Sequence, residues 1–206
     1  RLREHEVAGE RELGASPEQI DREVWGWGDE HRAQPLVVSI TQSTELGTNY
    51  TPEEVRAIAD AAHSQGLRLH LDGARIANAA ASLGVPLRAF TTDAGVDVLS
   101  LGGTKNGAIG AEAIVVLRPE ASEGLRYLRK LNMQLGSKQR FASAQLIALF
   151  EGQLWRDSAA HANAMATRLR SRLTDAAATA PLTLTFTQPT ESNAVFARLP
   201  AAAANA

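Results

Sequence analysis

The sequence predicts an α/β protein with a central, mostly parallel β-sheet. Two observations carry this prediction. Four apolar runs are each short enough to be a strand of a covered sheet, and a helical pattern separates the first two runs. Strands and helices that alternate in this way are typical of an α/β layer. The four runs lie at 36–40, 67–72, 96–101 and 113–117.

The composition is that of a globular protein with a sizeable core, because the 206 residues are 44% hydrophobic and 21% charged. The formal net charge of -2, without a run of Lys or Arg, suggests neither a nucleic-acid nor a membrane-surface partner. No apolar run approaches the about 18 residues of a membrane span, and the polar start lacks a secretory signal, so we expect a cytoplasmic protein. The absence of cysteine excludes disulfides, thiolate metal sites and Cys nucleophiles.

Two helix starts carry the same capping signal. Ser16, Pro17 and Gln19 predict a short helix, because they supply an N-cap, a proline in the first turn and a Gln that completes the capping box. Thr51 and the Pro-Glu-Glu that follows it repeat this pattern, and apolar residues then recur at helical spacing until Gly66. The second helix therefore lies between the first two strands.

The third and fourth strands follow a further helix. We expect this helix to run from Ala74 towards Leu83 and to end at Gly84. The link from Thr104 to Ala113 is short, which leaves room for the fourth strand to be antiparallel to its neighbour.

The C-terminal third is predicted to be helical and then to begin a second, smaller α+β domain. From Glu120 onward one long helical stretch runs through Leu154 and Trp155 and another continues to Leu173, and we expect these helices to leave the sheet. Short strands are predicted at 182–186 and 194–199. The predicted boundaries are residues 1–140 for the large domain, and 141–206 for the connecting helices and the start of the small domain.

Both ends of the sequence look cut, and we expect the chain to be a fragment. Residue 1 is Arg, the sequence begins inside what reads as a strand at 2–7, and it stops in an Ala-rich segment.

Polar residues follow three of the predicted strands. In open α/β sheets the ligand lies beyond the carboxyl ends of the strands, so these are the first places to look for a site. The three places are Thr41-Gln42-Ser43-Thr44, Asp72-Gly73-Ala74-Arg75 and Gly102-Gly103-Thr104-Lys105.

Asp72 and Arg75 place a carboxylate and a guanidinium within one turn of each other. The strand before them alternates leucines with Arg68, His70 and Asp72, so one of its faces ends in a carboxylate, and Gly73 permits a sharp turn. The two groups can converge on one pocket. The alternative is a helix-capping Asp with a local ion pair to Arg75.

Lys105 follows two glycines and Thr104 directly after a strand. If that strand is covered on both faces, Lys105 lies at the edge of a dry pocket, where an amine loses its proton and attacks a carbonyl carbon. Thr104 and the glycines are then placed to approach a phosphate. The alternative is a solvated surface lysine. The spacing is not that of a Walker loop, and the histidines show no paired spacing for a metal.

A carboxylate and a lysine at the ends of neighbouring strands are what pyridoxal phosphate requires, because its ring nitrogen needs a carboxylate and its aldehyde needs an amine. At this point the sequence resembles a known family. The segments LHLDGAR and GVDVLSLGGTKNGAIGAEAIVV, in this order, are similar to the middle of low-specificity L-threonine aldolases, which are fold-type I pyridoxal-phosphate enzymes. The resemblance continues through LRKLNMQLGSKQRFASAQLIALFE and NAVFARLP and covers nearly the whole chain.

The resemblance implies a role for each candidate residue. Lys105 would form the Schiff base with the cofactor, Asp72 would pair with the pyridine nitrogen, and Arg75 would bind the substrate carboxylate. It also points to His31 near the substrate hydroxyl, although His31 is equally well interpreted as a loop histidine. Finally, it points to two possible phosphate ligands that are otherwise typical of a solvated basic helix face, Lys130 and Lys138.

The resemblance further implies a homo-oligomer, a dimer or tetramer with shared active sites, that cleaves threonine or related β-hydroxy-α-amino acids to glycine and an aldehyde. The phosphate-binding turn and the stacking histidine that precede this region in the family are absent here, as is a further arginine expected beyond Leu199. We therefore expect the chain alone to be a poor aldolase. Alternatives are another fold-type I reaction, such as β-elimination or racemisation, and a non-catalytic fragment.

Overall fold

The computed structural model describes residues 15–179 and 183–201, and it contains a four-stranded sheet. The strands lie in chain order across the sheet, the first three parallel and the fourth antiparallel to the third. The predicted α/β architecture is therefore confirmed, including the antiparallel fourth strand. The strands are β1 (Val37–Thr41), β2 (Arg68–Gly73), β3 (Val98–Gly102) and β4 (Glu112–Val116).

Six α-helices accompany this sheet in the described residues. Both predicted capping boxes are present, with the Ser16 and Thr51 side chains accepting from the backbone amides of Gln19 and Glu54. Gly84 adopts the left-handed conformation that ends the third helix (φ +70°), as expected for a residue just past a helix. The helices are α1 (Pro17–Glu23), α2 (Pro52–Ser64), α3 (Ile76–Leu83), α4 (Leu125–Leu131), α5 (Arg140–Phe150) and α6 (Leu154–Thr179).

One face of the sheet forms the hydrophobic core. Leu69 and Leu71 of β2 are completely buried and point to this face, where α2 and α3 pack. Burial of an aliphatic side chain of this size contributes about 2 kcal/mol, so this layer accounts for much of the stability of the fold. The buried cluster also includes Ile40, Val55, Ile58, Ala59, Ala62, Ile76, Phe90, Val96 and Leu99.

The opposite face is open in the described part of the chain. Val37 of β1 and Ile114 of β4 are 50% and 62% exposed, and His70 and Asp72 of β2 are half-buried on the same side. Parallel sheets are normally covered on both faces. The expected double cover of the strand before Lys105 is therefore not provided by the described residues.

A buried aspartate organises the amino end of the sheet. Asp97, just before β3, is fully buried, and its Oδ2 accepts the backbone N–H of Leu69 at 2.7 Å and lies 2.8 Å from Nε2 of His63. Its Oδ1 lies 3.6 Å from one guanidinium nitrogen of each of Arg68 and Arg118. A buried carboxylate requires such partners, so this end of the sheet is held by paired charge.

The C-terminal helices differ from the prediction. The first stretch was expected to continue through Leu154 and Trp155, but α5 ends at Phe150 and these two residues begin α6. The expectation that these helices leave the sheet stays a prediction, and α6 packs against α3. Asn78 and Asn163 exchange two hydrogen bonds across that interface, at 3.0 and 2.9 Å.

The remaining predicted strands are short or lie outside the described residues. The two C-terminal strands are reduced to an antiparallel pair of two residues each, β5 (Thr185–Phe186) and β6 (Ala197–Arg198). The strand predicted at 2–7 falls outside the described residues. The predicted domain boundaries stay predictions. Within 15–179 and 183–201, no helix combines the length and apolar character needed to cross a bilayer.

Candidate active site

The three polar segments predicted from the sequence meet at the carboxyl edge of the sheet. Thr41 of β1 is in register with Asp72 of β2, which is in register with Ser100 of β3. Because β1, β2 and β3 are parallel, the segments that follow them leave the sheet at the same edge.

Gln42 ties the first of these segments to the second. Its backbone N–H donates to the carbonyl of Asp72 at 2.8 Å, and its own carbonyl accepts the N–H of Arg75 at 3.1 Å. Its fully buried side-chain amide bonds both backbone groups of Tyr50, at 2.7 and 3.1 Å. Gln42 thus fixes the turn that presents Asp72 and Arg75. The sequence interpretation placed Gln42 at the site edge but gave it no role.

The Asp72 carboxylate is only partly used by the protein. Its Oδ1 accepts the N–H of Ala74 at 2.9 Å, and no donor among the described residues bonds its other oxygen. The capping alternative is therefore only partly met. The turn bond is present, but the N-cap of α3 is Arg75, which has no side-chain cap, and no ion pair joins Asp72 to Arg75 in the described chain. One carboxylate oxygen is left for another partner.

Two glycines bring the second and third segments together. A Cβ on Gly102 would lie 2.8 Å from both the Cα and the carbonyl oxygen of Ala74. A Cβ on Gly73 would lie 2.9 Å from the carbonyl oxygen of Ser100. These are backbone atoms that side-chain rotation cannot move, so both positions require glycine. The turn that holds Asp72 therefore packs directly against the strand end that leads to Lys105.

Lys105 lies in a short 3-10 turn, Thr104–Asn106. The Thr104 N–H donates to Oε1 of Glu112 at 3.1 Å, and Nδ2 of Asn106 donates to the carbonyl of Trp155 at 2.8 Å. These bonds fix both ends of the turn. The Lys105 side chain is exposed and has no hydrogen-bond or ion-pair partner among the described residues. The dry pocket expected around Lys105 is thus not formed by the described residues alone.

Arg75 is half-buried, and in the described chain no acidic group pairs with its guanidinium. A partly desolvated guanidinium without a partner is suited to bidentate binding of a carboxylate. The carboxyl edge thus presents an incompletely bonded carboxylate, an unpaired guanidinium and an unpaired amine. No group of three or more His, Asp or Glu side chains in residues 15–179 and 183–201 is arranged to hold a metal ion.

Three of the remaining sequence candidates, His31, Lys130 and Lys138, are exposed. The His31 side chain is 87% exposed, in the loop that leads into the amino end of β1, with Nε2 3.9 Å from Oε1 of Glu30. Lys130 is in the last turn of α4 and Lys138 just precedes α5, and both are exposed. In the described chain, no hydrogen bond or ion pair joins any of these three side chains to Asp72 or Lys105. Their roles stay predictions.

Comparison with known proteins gives consistent similarities. A family model described as beta-eliminating lyase matches residues 5–200. The low specificity L-threonine aldolase of Pseudomonas sp. (strain NCIMB 10558) is 43% identical over 171 residues, which are 83% of this chain and 48% of that protein. The enzyme of the same name from Pseudomonas aeruginosa is 41% identical over the same shares of both chains.

A solved structure of Leishmania major threonine aldolase superposes with a TM-score of 0.78 at 29% identity. The match covers 89% of this chain and 52% of the other. The chain thus spans about half the length of the relatives that it matches.

Proposed function

Since the chain belongs to the beta-eliminating lyase family, we propose that the protein is a pyridoxal-phosphate-dependent aldolase that cleaves L-threonine or related β-hydroxy-α-amino acids to glycine and an aldehyde. The names of its Pseudomonas relatives support this substrate class. The observation that carries the proposal is the contact of Gly102 with the backbone of Ala74, which sets the Asp72 turn beside the Lys105 turn.

The residues at this edge fit the cofactor. Its ring nitrogen needs an anionic partner, and Asp72 has an oxygen that no described donor bonds. Its aldehyde needs an amine, and Lys105 has no competing partner in the described chain. Gly73 and Gly102 let the Asp72 turn approach the strand end before Lys105 closely, because a Cβ at either position would meet backbone atoms.

Each of these residues has a separate task. Pyridoxal phosphate, when bound, supplies an electron sink for the negative charge that develops at Cα of the amino acid. Asp72 would keep a proton on the ring nitrogen, and Lys105 would supply the amine that holds the aldehyde carbon of the cofactor. Arg75 binds the substrate carboxylate and so orients the bonds at Cα. Asp72 therefore acts on the rate without touching the substrate.

Cleavage breaks the Cα–Cβ bond and moves one proton. The β-hydroxyl loses its proton as its carbon becomes the aldehyde, and Cα gains a proton to give glycine. A base must lie near the hydroxyl, and His31 or a water molecule is proposed for this role. Thr104, Lys130 and Lys138 are proposed as ligands of the cofactor phosphate.

We also propose that the protein is cytoplasmic and forms a homo-oligomer, a dimer or tetramer with shared active sites. The region from α4 to α5 supports the assembly, because its apolar side chains find no cover within the described chain. Those more than half exposed are Tyr127, Leu128, Leu131, Met133, Phe141 and Ile147. Light scattering after size exclusion measures the mass, and a monomer would contradict the assembly.

The deciding experiment is cofactor trapping followed by product analysis. The protein is incubated with pyridoxal phosphate, reduced with borohydride and digested, and the pyridoxyl group is expected on the peptide that contains Lys105. An adduct on another lysine, with Lys105 unmodified, would contradict the assignment of Lys105 as the lysine that binds the cofactor. Release of glycine and acetaldehyde from L-threonine is then expected.

A second candidate reaction is β-elimination, which the description of the matching family model favours. The Asp72, Arg75 and Lys105 constellation would serve it equally well. It would give a 2-oxo acid and ammonia instead of glycine and an aldehyde. The same product analysis therefore separates the two reactions.

A further inference from the structure

A row of hydrogen-bonded side chains crosses the open face of the sheet next to the proposed site. The hydroxyl of Ser39 on β1 lies 2.8 Å from Nδ1 of His70 on β2. The other ring nitrogen of His70, Nε2, lies 2.9 Å from the hydroxyl of Ser100 on β3. These bonds are additional to the backbone ladder, and they connect all three parallel strands through one imidazole.

The strand register brings this row to Asp72. Ser39 is the register partner of His70, whereas Ser100 is the register partner of Asp72. The row therefore runs obliquely, from β1 through His70 to the residue directly beside Asp72. His70 and Asp72 are also two residues apart on one strand and share its face.

Protonation gives the row a direction. Partial burial lowers the pKa of His70, and the nearby charge of Asp72 opposes this shift. A neutral imidazole donates through one nitrogen and accepts on the other, so one serine donates to His70 and the other accepts from it. If Ser39 donates, His70 donates to Ser100, and the Ser100 hydrogen then has no acceptor within the row. Ser100 is the register partner of Asp72, although the two side chains form no hydrogen bond in the structure. The negative charge of Asp72 favours this order.

We propose that His70 is a positioning residue that acts through Ser100 on Asp72, so that the carboxylate is held in place to keep a proton on the cofactor ring. The inference rests on the proposed function for the identity of the ligand that Asp72 serves. The link involves residues of this chain alone. Its first step, from His70 to Ser100, is observed, and its second step, from the Ser100 hydroxyl to the Asp72 carboxylate, is the inferred one. An apolar side chain would hold the three strands equally well without the cost of desolvating an imidazole.

The link is tested first in the cofactor-free protein. His70 is titrated by NMR in the wild type, Asp72→Asn, Ser100→Ala and the double variant. Asp72→Asn is expected to lower the pKa of His70, because it removes the opposing charge, and this effect should shrink when the Ser100 hydroxyl is absent. An equal effect of Asp72→Asn in both backgrounds would show that Ser100 does not connect the two residues, and would overturn the proposal.

The consequence for the cofactor is tested in the loaded protein by the visible absorbance of bound pyridoxal phosphate as a function of pH. In His70→Phe and Ser100→Ala the pH midpoint of the absorbance change is expected to rise by about half a pH unit or more. The reason is that a ring that is less firmly protonated withdraws less charge from the Lys105 nitrogen. Val98→Ala is the control. Val98 is the register partner of His70 on β3, so this variant is expected to lower the melting temperature without moving the midpoint.

These readouts separate the inference from the function. If the wild type takes up no cofactor through Lys105, the proposed function fails, and the NMR comparison still decides the link. If His70→Phe leaves the absorbance midpoint at the wild-type value, or shifts it no more than Val98→Ala, then His70 is structural and the positioning role is wrong.

Discussion

The amino and carboxyl ends of the central sheet each carry an aspartate, but the two carboxylates have very different surroundings. At the amino end, Asp97 is fully buried against a backbone amide, an imidazole and two guanidinium groups. At the carboxyl end, Asp72 is half-buried and accepts one hydrogen bond, from the amide of Ala74 in its own turn. Asp97 therefore has cationic partners within the protein, whereas Asp72 has none among the described residues.

The difference separates stability from function. A buried carboxylate such as Asp97, with one oxygen hydrogen-bonded and the other 3.6 Å from two guanidinium groups, holds secondary structure elements together, and removing a partner is costly. A charge that is incompletely paired at the carboxyl edge does little for the fold, and is available to a ligand. Four variants test this division, in order of decreasing expected effect.

The largest effect is expected at Lys105. Lys105→Ala should abolish covalent capture of the cofactor and raise the barrier of threonine cleavage on the order of 4 kcal/mol, roughly a thousandfold in rate. Because Lys105 has no partner in the described chain, the melting temperature should not change. Steady-state kinetics and calorimetry measure the two quantities, and a variant that keeps its activity would contradict the assignment.

The next effect is expected at Asp72, where Asp72→Asn tests the free carboxylate. The variant should retain the cofactor but lose rate by roughly a hundredfold, on the order of 3 kcal/mol, because a neutral amide does not hold a proton on the ring nitrogen. Its resistance to urea should stay close to that of the wild type. Turnover near the wild-type value would mean that another acid holds this proton.

Asp97→Asn is the matched control at the other end of the sheet. The same loss of charge should here lower the free energy of unfolding by about 2 kcal/mol, because Arg68, Arg118 and His63 lose their common anion. The rate per folded molecule should be unchanged. Urea denaturation measures the first quantity, and the comparison fails if Asp97→Asn slows turnover more than Asp72→Asn.

The smallest effect is expected from the pH dependence that His70 contributes. Because burial lowers the pKa of His70 in the folded protein, the unfolded chain takes up a proton more readily as the pH falls below about 6.5. The lowered pKa of His70 therefore reduces the free energy of unfolding as the pH falls below about 6.5, and it has no effect on stability well above that pH. Between pH 7.5 and pH 5.5 the free energy of unfolding, measured by urea denaturation, should fall less in His70→Phe than in the wild type. An equal fall in both proteins would contradict the lowered pKa of His70.

Local chemistry accounts for what the sequence predicted well. The capping boxes at Ser16 and Thr51 involve residues three positions apart, so their signal is complete within a few letters. The segments around Asp72 and Lys105 were found because each follows an apolar strand. The end of α5 at Phe150 was missed, although Gly152 in the link to α6 gave a local signal.

Interactions between residues far apart in the sequence were harder to predict. Gln42 joins Asp72 and Arg75 mainly through its backbone, which no side-chain pattern shows. Asp97 is visible in the sequence as a charged residue inside an apolar run. Its partners could not be predicted, because they come from three distant segments: His63 from α2, Arg68 from β2 and Arg118 from the segment after β4. The alternation that placed His70 on the face of Asp72 was recognised, whereas its bond to Ser100 required the strand register.

The contact between Gly102 and Ala74 also restricts how this protein can vary. Every missense change of a single nucleotide in a glycine codon adds a Cβ, and at position 102 that atom would meet backbone at 2.8 Å. The distance between the acidic turn and the lysine turn thus depends on the absence of one carbon atom. No single-nucleotide missense change at this codon avoids that clash, so a saturation library at position 102 would be expected to return glycine.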